Sequence, residues 1–184
     1  MSSTHYVING VSYPRVSYVI SEMLALPHAN YGDGSAAVKG TQMHADIESY
    51  LKGGTDWDNP EFELKAQFED FMATVLPRSH WRVYAVEQLV HSKTYRIAGT
   101  VDAIFEYMPT KELYIIDWKR TAGLYQDSAR QYQLQLNIYA AILQETTPIS
   151  GLMLAMFHPS NDKYKISIVP HIDVRLYMDA AISL

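Results

Sequence analysis

Two acidic residues and a lysine lie on segments that the sequence predicts as neighbouring β-strands. Gly99-Thr-Val-Asp102 belongs to the first segment, and Ile115-Ile-Asp-Trp-Lys119 belongs to the second. Two carboxylates can hold a hard divalent cation, and a lysine beside them can stabilise a developing negative charge. This combination indicates metal-dependent hydrolysis of phosphodiester bonds.

Asp117 and Lys119 should project to the same face of their strand, because side chains alternate along a strand with a period of two. Ile116 and Trp118 then point into the opposite layer. An ion pair at the edge of a strand would explain this tripeptide equally well, since Asp-x-Lys is short and common.

Asp102 should lie across from Asp117. Met108-Pro-Thr-Lys111 is a predicted hairpin turn, and a turn centred at its midpoint leaves the two aspartates at equal distances on either side. Like charges opposite each other destabilise a sheet unless something neutralises them, and a cation would do so. Gly99 would allow close approach of another backbone or a phosphate, or it would mark a β-bulge.

Glu87 and His44 are further candidates for the site. Glu87 lies mid-strand among apolar neighbours, where a glutamate is usually paired. It is either a metal ligand or a partner of Lys119 or Arg96. His44 faces inward on a predicted helix, where a histidine is more often structural than a metal ligand.

Gln135 and Tyr139 are four residues apart and share one face of a predicted helix, with Tyr132 nearby. They either contact a substrate or pack as ordinary side chains with polar tips.

The elements that must position these residues form an α/β pattern. Apolar spacing and turn signals predict helices, then three strands, a helix, two strands and a final helix, which implies a mixed sheet between helices. Ser17 is a candidate N-cap of the first helix, and Asn59-Pro60 is a favourable start for the third. The predicted helices are 16–26, 35–51, 59–75, 128–145 and 173–182, and the predicted strands are 81–91, 95–107, 112–119, 151–157 and 163–169.

Composition narrows the class of protein. The 184 residues, 48% hydrophobic and 19% charged, fit one globular domain spanning residues 1–184. The absence of cysteine excludes disulfides and zinc–thiolate or iron–sulfur sites. A net charge of −5 argues against a protein that coats nucleic acid non-specifically. The sequence contains no membrane-spanning run and no signal-peptide pattern, so a cytoplasmic location is expected.

The candidate residues together resemble a known family. The motifs Gly40-Thr-x-x-His44, Glu87, Gly99-x-x-Asp102, Asp117-x-Lys119 and Gln135-x-x-x-Tyr139 match, in order, those of RecB-like nucleases of the PD-(D/E)XK superfamily. Tyr13-Pro-Arg-Val-Ser17-Tyr-Val-Ile20 resembles the Pro-Ser-Val-Thr start of phage exonucleases and mitochondrial genome maintenance exonucleases. The resemblance implies the restriction-endonuclease-like core, a central mixed β-sheet flanked by helices.

The same resemblance implies roles for the site residues. His44, Asp102, Asp117 and the backbone carbonyl of Trp118 would bind Mg²⁺ or Mn²⁺. Glu87 would assist the site. Lys119 would position the attacking water or stabilise developing charge. Gln135 and Tyr139 would hold the substrate. Apart from the resemblance, Tyr132 and Arg120 are further candidates for substrate contacts, and phosphate contacts would come from Lys93, Arg96, Arg130 and the loop at residues 120–127. Taken one by one, these side chains are equally explained by solvation or core packing.

The expected function is therefore a metal-dependent deoxyribonuclease, specifically an exonuclease acting on single strands or duplex ends in replication, recombination or repair. Further partners would be replication or recombination proteins, and a phage-encoded chain would act in the host cytoplasm. The alternative is a non-catalytic nucleic-acid-binding or structural subunit with the same fold. The sequence leaves the cleavage polarity and the oligomeric state open.

Overall fold

The computed structural model describes residues 4–26, 35–53, 56–121, 126–159 and 163–184. From the first helix onward, the helices and strands follow the predicted order. In chain order the elements are β1 (His5–Ile8), β2 (Val11–Pro14), α1 (Val16–Met23), α2 (Ser35–Gly53), α3 (Lys65–Thr74), β3 (Trp81–Ser92), β4 (Ile97–Tyr107), β5 (Glu112–Arg120), α4 (Gln126–Leu143), β6 (Gly151–Phe157), β7 (Tyr164–Val169) and α5 (Arg175–Ala181).

The centre of the fold is a five-stranded mixed sheet in the order β3-β4-β5-β6-β7. Adjacent strands are antiparallel except β5 and β6, which run parallel. The parallel pair requires a crossover connection, and α4 lies in that connection. This mixed α/β sheet confirms the predicted fold class.

Helices cover both faces of the sheet, and each face has its own hydrophobic cluster. One cluster joins α1, α4 and α5 to the sheet through residues such as Val19, Leu136 and Ile115. The other joins α2 and α3 to the opposite face around Phe68 and Trp118. Within the described residues, no helix is both long and apolar enough to cross a membrane.

The sheet divides between β4 and β5. Their pairing runs from Tyr107 opposite Glu112 to Ala103 opposite Ile116. Beyond these residues β4 continues to pair with β3, whereas β5 continues to pair with β6. We call the point where β4 and β5 separate the fork. Asp102 and Asp117 are the next residues of the two strands, so they lie at the fork.

An N-terminal hairpin precedes the first helix, and the sequence analysis did not predict it. Strands β1 and β2 pair antiparallel around Asn9-Gly10, with φ angles of 51° and 78°. Positive φ at both central residues is the requirement of a type I′ hairpin turn, which Asn-Gly favours. The predicted N-cap is also wrong, because Arg15 precedes α1 as its N-cap and Ser17 lies inside the helix.

The third helix begins later than predicted. Asn59-Pro60 does not start it, and α3 begins at Lys65. The Asn59 side chain instead donates to Asp46 on α2 at 3.2 Å and accepts from the Glu61 backbone N–H at 3.2 Å. Phe62 is buried among aromatic side chains. These tertiary contacts fix residues 59–64 as turns, against their local preference for a helix start.

Candidate active site

Three carboxylates lie in a row across the strands beside the fork. In the β3–β4 ladder, Val86 pairs with Ala103 and Gln88 pairs with Val101, so Glu87 lies opposite Asp102. Extending the β4–β5 register one step beyond its last pair, Ala103 with Ile116, brings Asp102 opposite Asp117. We call Glu87, Asp102 and Asp117 the acid row. The position of Asp117 across from Asp102 agrees with the count from the hairpin turn.

His44 reaches the acid row from α2. Its Nδ1 lies 3.2 Å from Glu87 Oε1 and 3.4 Å from Asp102 Oδ1. Burial lowers the pKa of His44, but the hydrogen bond to Glu87 and the charge of Asp102 outweigh burial and raise the pKa above its usual value. His44 therefore lies in contact with two members of the acid row, and a metal-binding role for it stays a prediction.

Glu87 occupies an unusual backbone conformation. Its φ is +48°, in the left-handed region that residues other than glycine seldom adopt. The β3–β4 register also shifts between Val83 and Ala85, a few residues earlier on the same strand. Bulges and strained residues of this kind often aim a side chain at a functional site. Here the result is the contact between Glu87 and His44.

Asp102 is buried between the other members of the site. Its Oδ2 accepts a hydrogen bond of 2.8 Å from the backbone N–H of Trp118, which ties β4 to β5 at the fork. Burial and the neighbouring charge of Asp117 raise the pKa of Asp102 well above its usual range. A cation beside Asp102 would therefore relieve an unfavourable concentration of negative charge.

Asp117 and Lys119 point to the same side of β5, as strand alternation predicts. Lys119 Nζ lies 2.7 Å from Asp117 Oδ2. Within the described part of the chain, neither carboxylate oxygen of Asp117 accepts a hydrogen bond of good geometry, although both oxygens are buried. Burial lowers the pKa of Lys119, but the charges of Asp117 and Asp102 outweigh it and raise the pKa, so the amine stays protonated.

Trp118 contributes its backbone to the site and its side chain to the core. The indole is fully buried in the α2–α3 layer, with ring centroids of Phe68 and Phe71 at 5.7 Å and 6.1 Å. Packing on that face holds β5 in place while its other face presents Asp117 and Lys119. A metal-binding role for the Trp118 carbonyl stays a prediction.

Helix α4 places Tyr139 against β4 beside the fork, and Gln135 is hydrogen-bonded to Tyr139. Gln135 Nε2 donates to the Tyr139 hydroxyl at 2.9 Å. Burial raises the pKa of Tyr139, and the charges of Asp117 and Asp102 raise it further, so the phenol stays neutral beside the acids. Tyr132 is half-buried on the same helix, with its ring centroid 4.9 Å from Lys119 Nζ.

Gly99 allows close approach of a ring rather than of another backbone. The β3–β4 register continues unbroken through Gly99, so this glycine does not mark a bulge. A Cβ at this position would lie 2.4 Å from Tyr139 Cε1 and 3.1 Å from Val16 Cγ2. The glycine is therefore required for Tyr139 to reach the fork.

Gly99→Ala should destabilise the protein by about 3 kcal/mol, because the new methyl group overpacks a fully enclosed ring. Gly40→Ala is the matched control, since a Cβ there meets nothing within 4 Å and alanine is favoured in a helix interior by up to about 1 kcal/mol. Urea unfolding measures the free energy of unfolding of both variants. An unchanged free energy of unfolding for Gly99→Ala would show that Tyr139 has room to move.

The predicted phosphate-binding cations are not all placed at the site. Arg120 ends β5 and forms an ion pair with Glu63. Lys93 and Arg96 lie in the turn between β3 and β4, six residues and roughly 20 Å along the strands from Glu87 and Asp102. Arg130 is exposed on α4. Half of the predicted contact loop at residues 120–127, namely residues 122–125, lies outside the described residues.

The sequence analysis missed the part of the site that the N-terminal hairpin supplies. The Tyr6 hydroxyl lies 2.9 Å from Thr100 Oγ1, two residues before Asp102 on β4. The signal was available in the sequence, because Asn9-Gly10 flanked by β-branched and aromatic residues is a strong short-range indication of a hairpin.

The residues at the fork fit a divalent metal ion. Among the described residues, His44, Glu87 and Asp102 offer ligand atoms that all lie within 4.8 Å of one another. Carboxylate oxygens and an imidazole nitrogen suit Mn²⁺ or Mg²⁺, and burial together with the charge of Asp117 raises the pKa of Asp102. The resemblance had placed Asp117 and Trp118 in the ligand set and gave Glu87 an assisting role.

Comparisons with known proteins gave a family match and similar solved structures. Residues 63–166 match the PD-(D/E)XK nuclease superfamily. The solved structure of SSO0001 has a TM-score of 0.48 at 15% identity, covering 92% of this chain and 73% of that one. A protein described as a "Putative exonuclease" from Eubacterium rectale has a TM-score of 0.47 at 13% identity, covering 95% and 72%.

No curated protein sequence matches this chain. The family match covers more than half of the chain and includes Glu87, Asp102, Asp117 and Lys119. The chain therefore belongs to the PD-(D/E)XK nuclease superfamily.

Proposed function

We propose that this protein is a divalent-metal-dependent deoxyribonuclease that degrades DNA from ends or as single strands. The observation that carries the proposal is the meeting of His44, the acid row and Lys119 at the fork. In a member of a nuclease superfamily, this collection of carboxylates, imidazole and amine suits phosphodiester hydrolysis.

Each residue has a role in this proposal that follows from its position. His44, Glu87 and Asp102 would hold the metal ion, with Asp117 beside Asp102. A bound Mg²⁺ or Mn²⁺ would supply Lewis acidity toward the phosphate and lower the pKa of a bound water. Lys119 stays protonated and would stabilise negative charge that develops on the phosphate oxygens.

The protein groups around the fork would control substrate and solvent. Trp118 fixes Asp102 through its backbone N–H, so this carboxylate keeps its orientation when a substrate enters. Gln135 and the neutral phenol of Tyr139 would donate or accept hydrogen bonds without adding charge. Arg120 and Tyr132 are the candidates for contacts to the part of the DNA strand that extends beyond Lys119.

Cleavage should require a divalent metal and a DNA end. The purified chain would be incubated with end-labelled linear duplex, linear single strands and closed circular DNA in Mg²⁺, Mn²⁺ or EDTA. We expect the linear substrates to shorten in Mg²⁺ or Mn²⁺, no reaction in EDTA, and intact circles. Excess metal added after EDTA should restore the activity.

Other outcomes would change the proposal in defined ways. Cleavage of circles at the rate of linear DNA would make the enzyme an endonuclease. Inactivity on every substrate with both metals, by a folded preparation, would favour the non-catalytic binding subunit. Cleavage of RNA in preference to DNA would make the enzyme a ribonuclease.

A further inference from the structure

The N-terminal hairpin lies beside β4 on the side that β5 has left. Arg15, which follows β2, forms an isolated parallel pairing with Ala98 of β4. The other edge of Ala98 is already paired with His91 of β3. Arg15 therefore takes the neighbouring position that β5 vacates beyond the fork.

Tyr6 holds the Arg15 side chain beside β4. The Arg15 guanidinium carbon lies 4.1 Å from the centroid of the Tyr6 ring. The Tyr6 hydroxyl in turn lies 2.9 Å from Thr100 Oγ1, and Thr100 precedes Asp102 by two residues, roughly 7 Å along the strand. The contact with the Tyr6 ring restricts rotation of the guanidinium, so its orientation is set before a ligand arrives.

Among the residues that the structure describes, Arg15 lacks the acidic partner that Lys119 and Arg120 have. Lys119 pairs with Asp117, and Arg120 pairs with Glu63. Within the described residues no carboxylate pairs with Arg15, and its buried Nε has no hydrogen-bond partner. A partly exposed guanidinium without an anion, next to a site crowded with carboxylates, offers a local positive charge to an incoming polyanion.

We infer that Arg15 is a positioning residue that binds a backbone phosphate of the DNA strand entering the fork, with Tyr6 holding its guanidinium plane. The planar guanidinium has several N–H donors that match phosphate oxygens, so it binds them more specifically than an ammonium group does. This inference rests on the proposed deoxyribonuclease function and adds to it a contact on the N-terminal hairpin.

The test measures binding and cleavage separately. Binding of a fluorescein-labelled single-stranded oligonucleotide would be followed by anisotropy across a series of KCl concentrations, in an Asp117→Asn background with Mg²⁺. Cleavage kinetics would be followed with otherwise wild-type protein. The variants are Arg15→Gln, Arg15→Lys and the control Arg78→Gln, which removes an equal charge from an exposed turn before β3.

Arg15→Gln should weaken DNA binding about tenfold and reduce the slope of log affinity against log salt by about 0.7, the value for one phosphate contact on a single strand. In the cleavage assay KM should rise while kcat changes less than twofold. Arg15→Lys should keep the salt slope, because the charge remains, and should still bind a few times more weakly. Arg78→Gln should bind within twofold of its parent.

The outcomes separate this inference from the function on which it rests. If wild-type protein cleaves DNA but both Arg15 variants bind and cleave as it does, the inference is wrong and the nuclease function stands. An equal loss in Arg78→Gln would also overturn it, since general electrostatics would then explain the effect. If wild-type protein neither binds nor cleaves DNA, both proposals fail. Should Arg15→Gln unfold in a thermal melt, Arg15→Lys alone decides.

Discussion

Asp117→Asn should lower the rate of DNA cleavage by about a thousandfold, the scale of losing one essential catalytic group. Asparagine has nearly the same shape as aspartate but lacks its charge. The substitution removes one of the two like charges that meet at the fork, and it leaves Asp102 facing Lys119. We therefore expect the free energy of unfolding to stay within about 1 kcal/mol of wild type.

The measurement for Asp117→Asn is single-turnover cleavage of labelled linear DNA in Mg²⁺, combined with urea unfolding of the metal-free protein. Asp173→Asn is the matched control, because Asp173 is an exposed aspartate paired with Arg175 beside α5. The control should cleave at the wild-type rate. Activity within tenfold of wild type in Asp117→Asn would remove Asp117 from the catalytic group.

Calorimetry on the same variant would separate two possible ligand sets. If His44, Glu87 and Asp102 hold the metal, Mn²⁺ affinity should fall more in Glu87→Gln than in Asp117→Asn. The reverse order would favour a ligand set that contains Asp117. The comparison of the two variants therefore identifies which carboxylate binds the metal. Cleavage assays alone cannot distinguish the two ligand sets.

The strand pattern explains why most of the site was predictable from sequence. Alternation along β5 places Asp117 with Lys119 and sends Trp118 into the core. A count from the turn at residues 108–111 places Asp102 across from Asp117, and the observed register ends one step before that pair, at Ala103 and Ile116. These predictions need only local geometry, namely a period of two and a short turn, so a single sequence is sufficient for them.

Other features depend on tertiary contacts that the local sequence does not specify. The late start of α3 follows from burial of Phe62 and from the contact of Asn59 with Asp46. The place of Glu87 opposite Asp102 depends on a register shift near Tyr84, which moves all later pairings by one residue. The requirement for Gly99 becomes visible only when α4 brings Tyr139 against β4.

Lys119→Met should lower the free energy of unfolding of the metal-free protein by about 3 kcal/mol at neutral pH, and should also lower cleavage at least a hundredfold. The site holds Asp102 and Asp117 against one lysine, whose side chain is 18% exposed. Methionine keeps the length of the side chain but removes the charge, so two buried carboxylates lose their partner. Asp117→Asn instead removes one of the two negative charges and keeps the lysine. The two variants should therefore differ in stability.

The effect of Lys119→Met on stability should depend on pH in a definite direction. Burial and the charge of Asp117 raise the pKa of Asp102 in the folded state. The stability that a protonated Asp102 provides is fully present below its unfolded pKa of about 4, and it is lost as the pH rises through the folded value. Loss of Lys119 raises that folded value further, so the stability difference from wild type should shrink as the pH falls toward about 4.

A divalent ion should partly replace the missing charge of Lys119. Thermal unfolding with and without Mn²⁺ should show a larger rise in Tm for Lys119→Met than for wild type, because the variant gains more from a cation beside its two carboxylates. Lys52→Met is the control, since Lys52 is 60% exposed in a helical pair with Glu48 and should change stability by less than about 0.5 kcal/mol. Equal shifts in Tm for Lys119→Met and wild type would mean that the metal and Lys119 do not share the same carboxylates. The lysine would then act on the substrate alone.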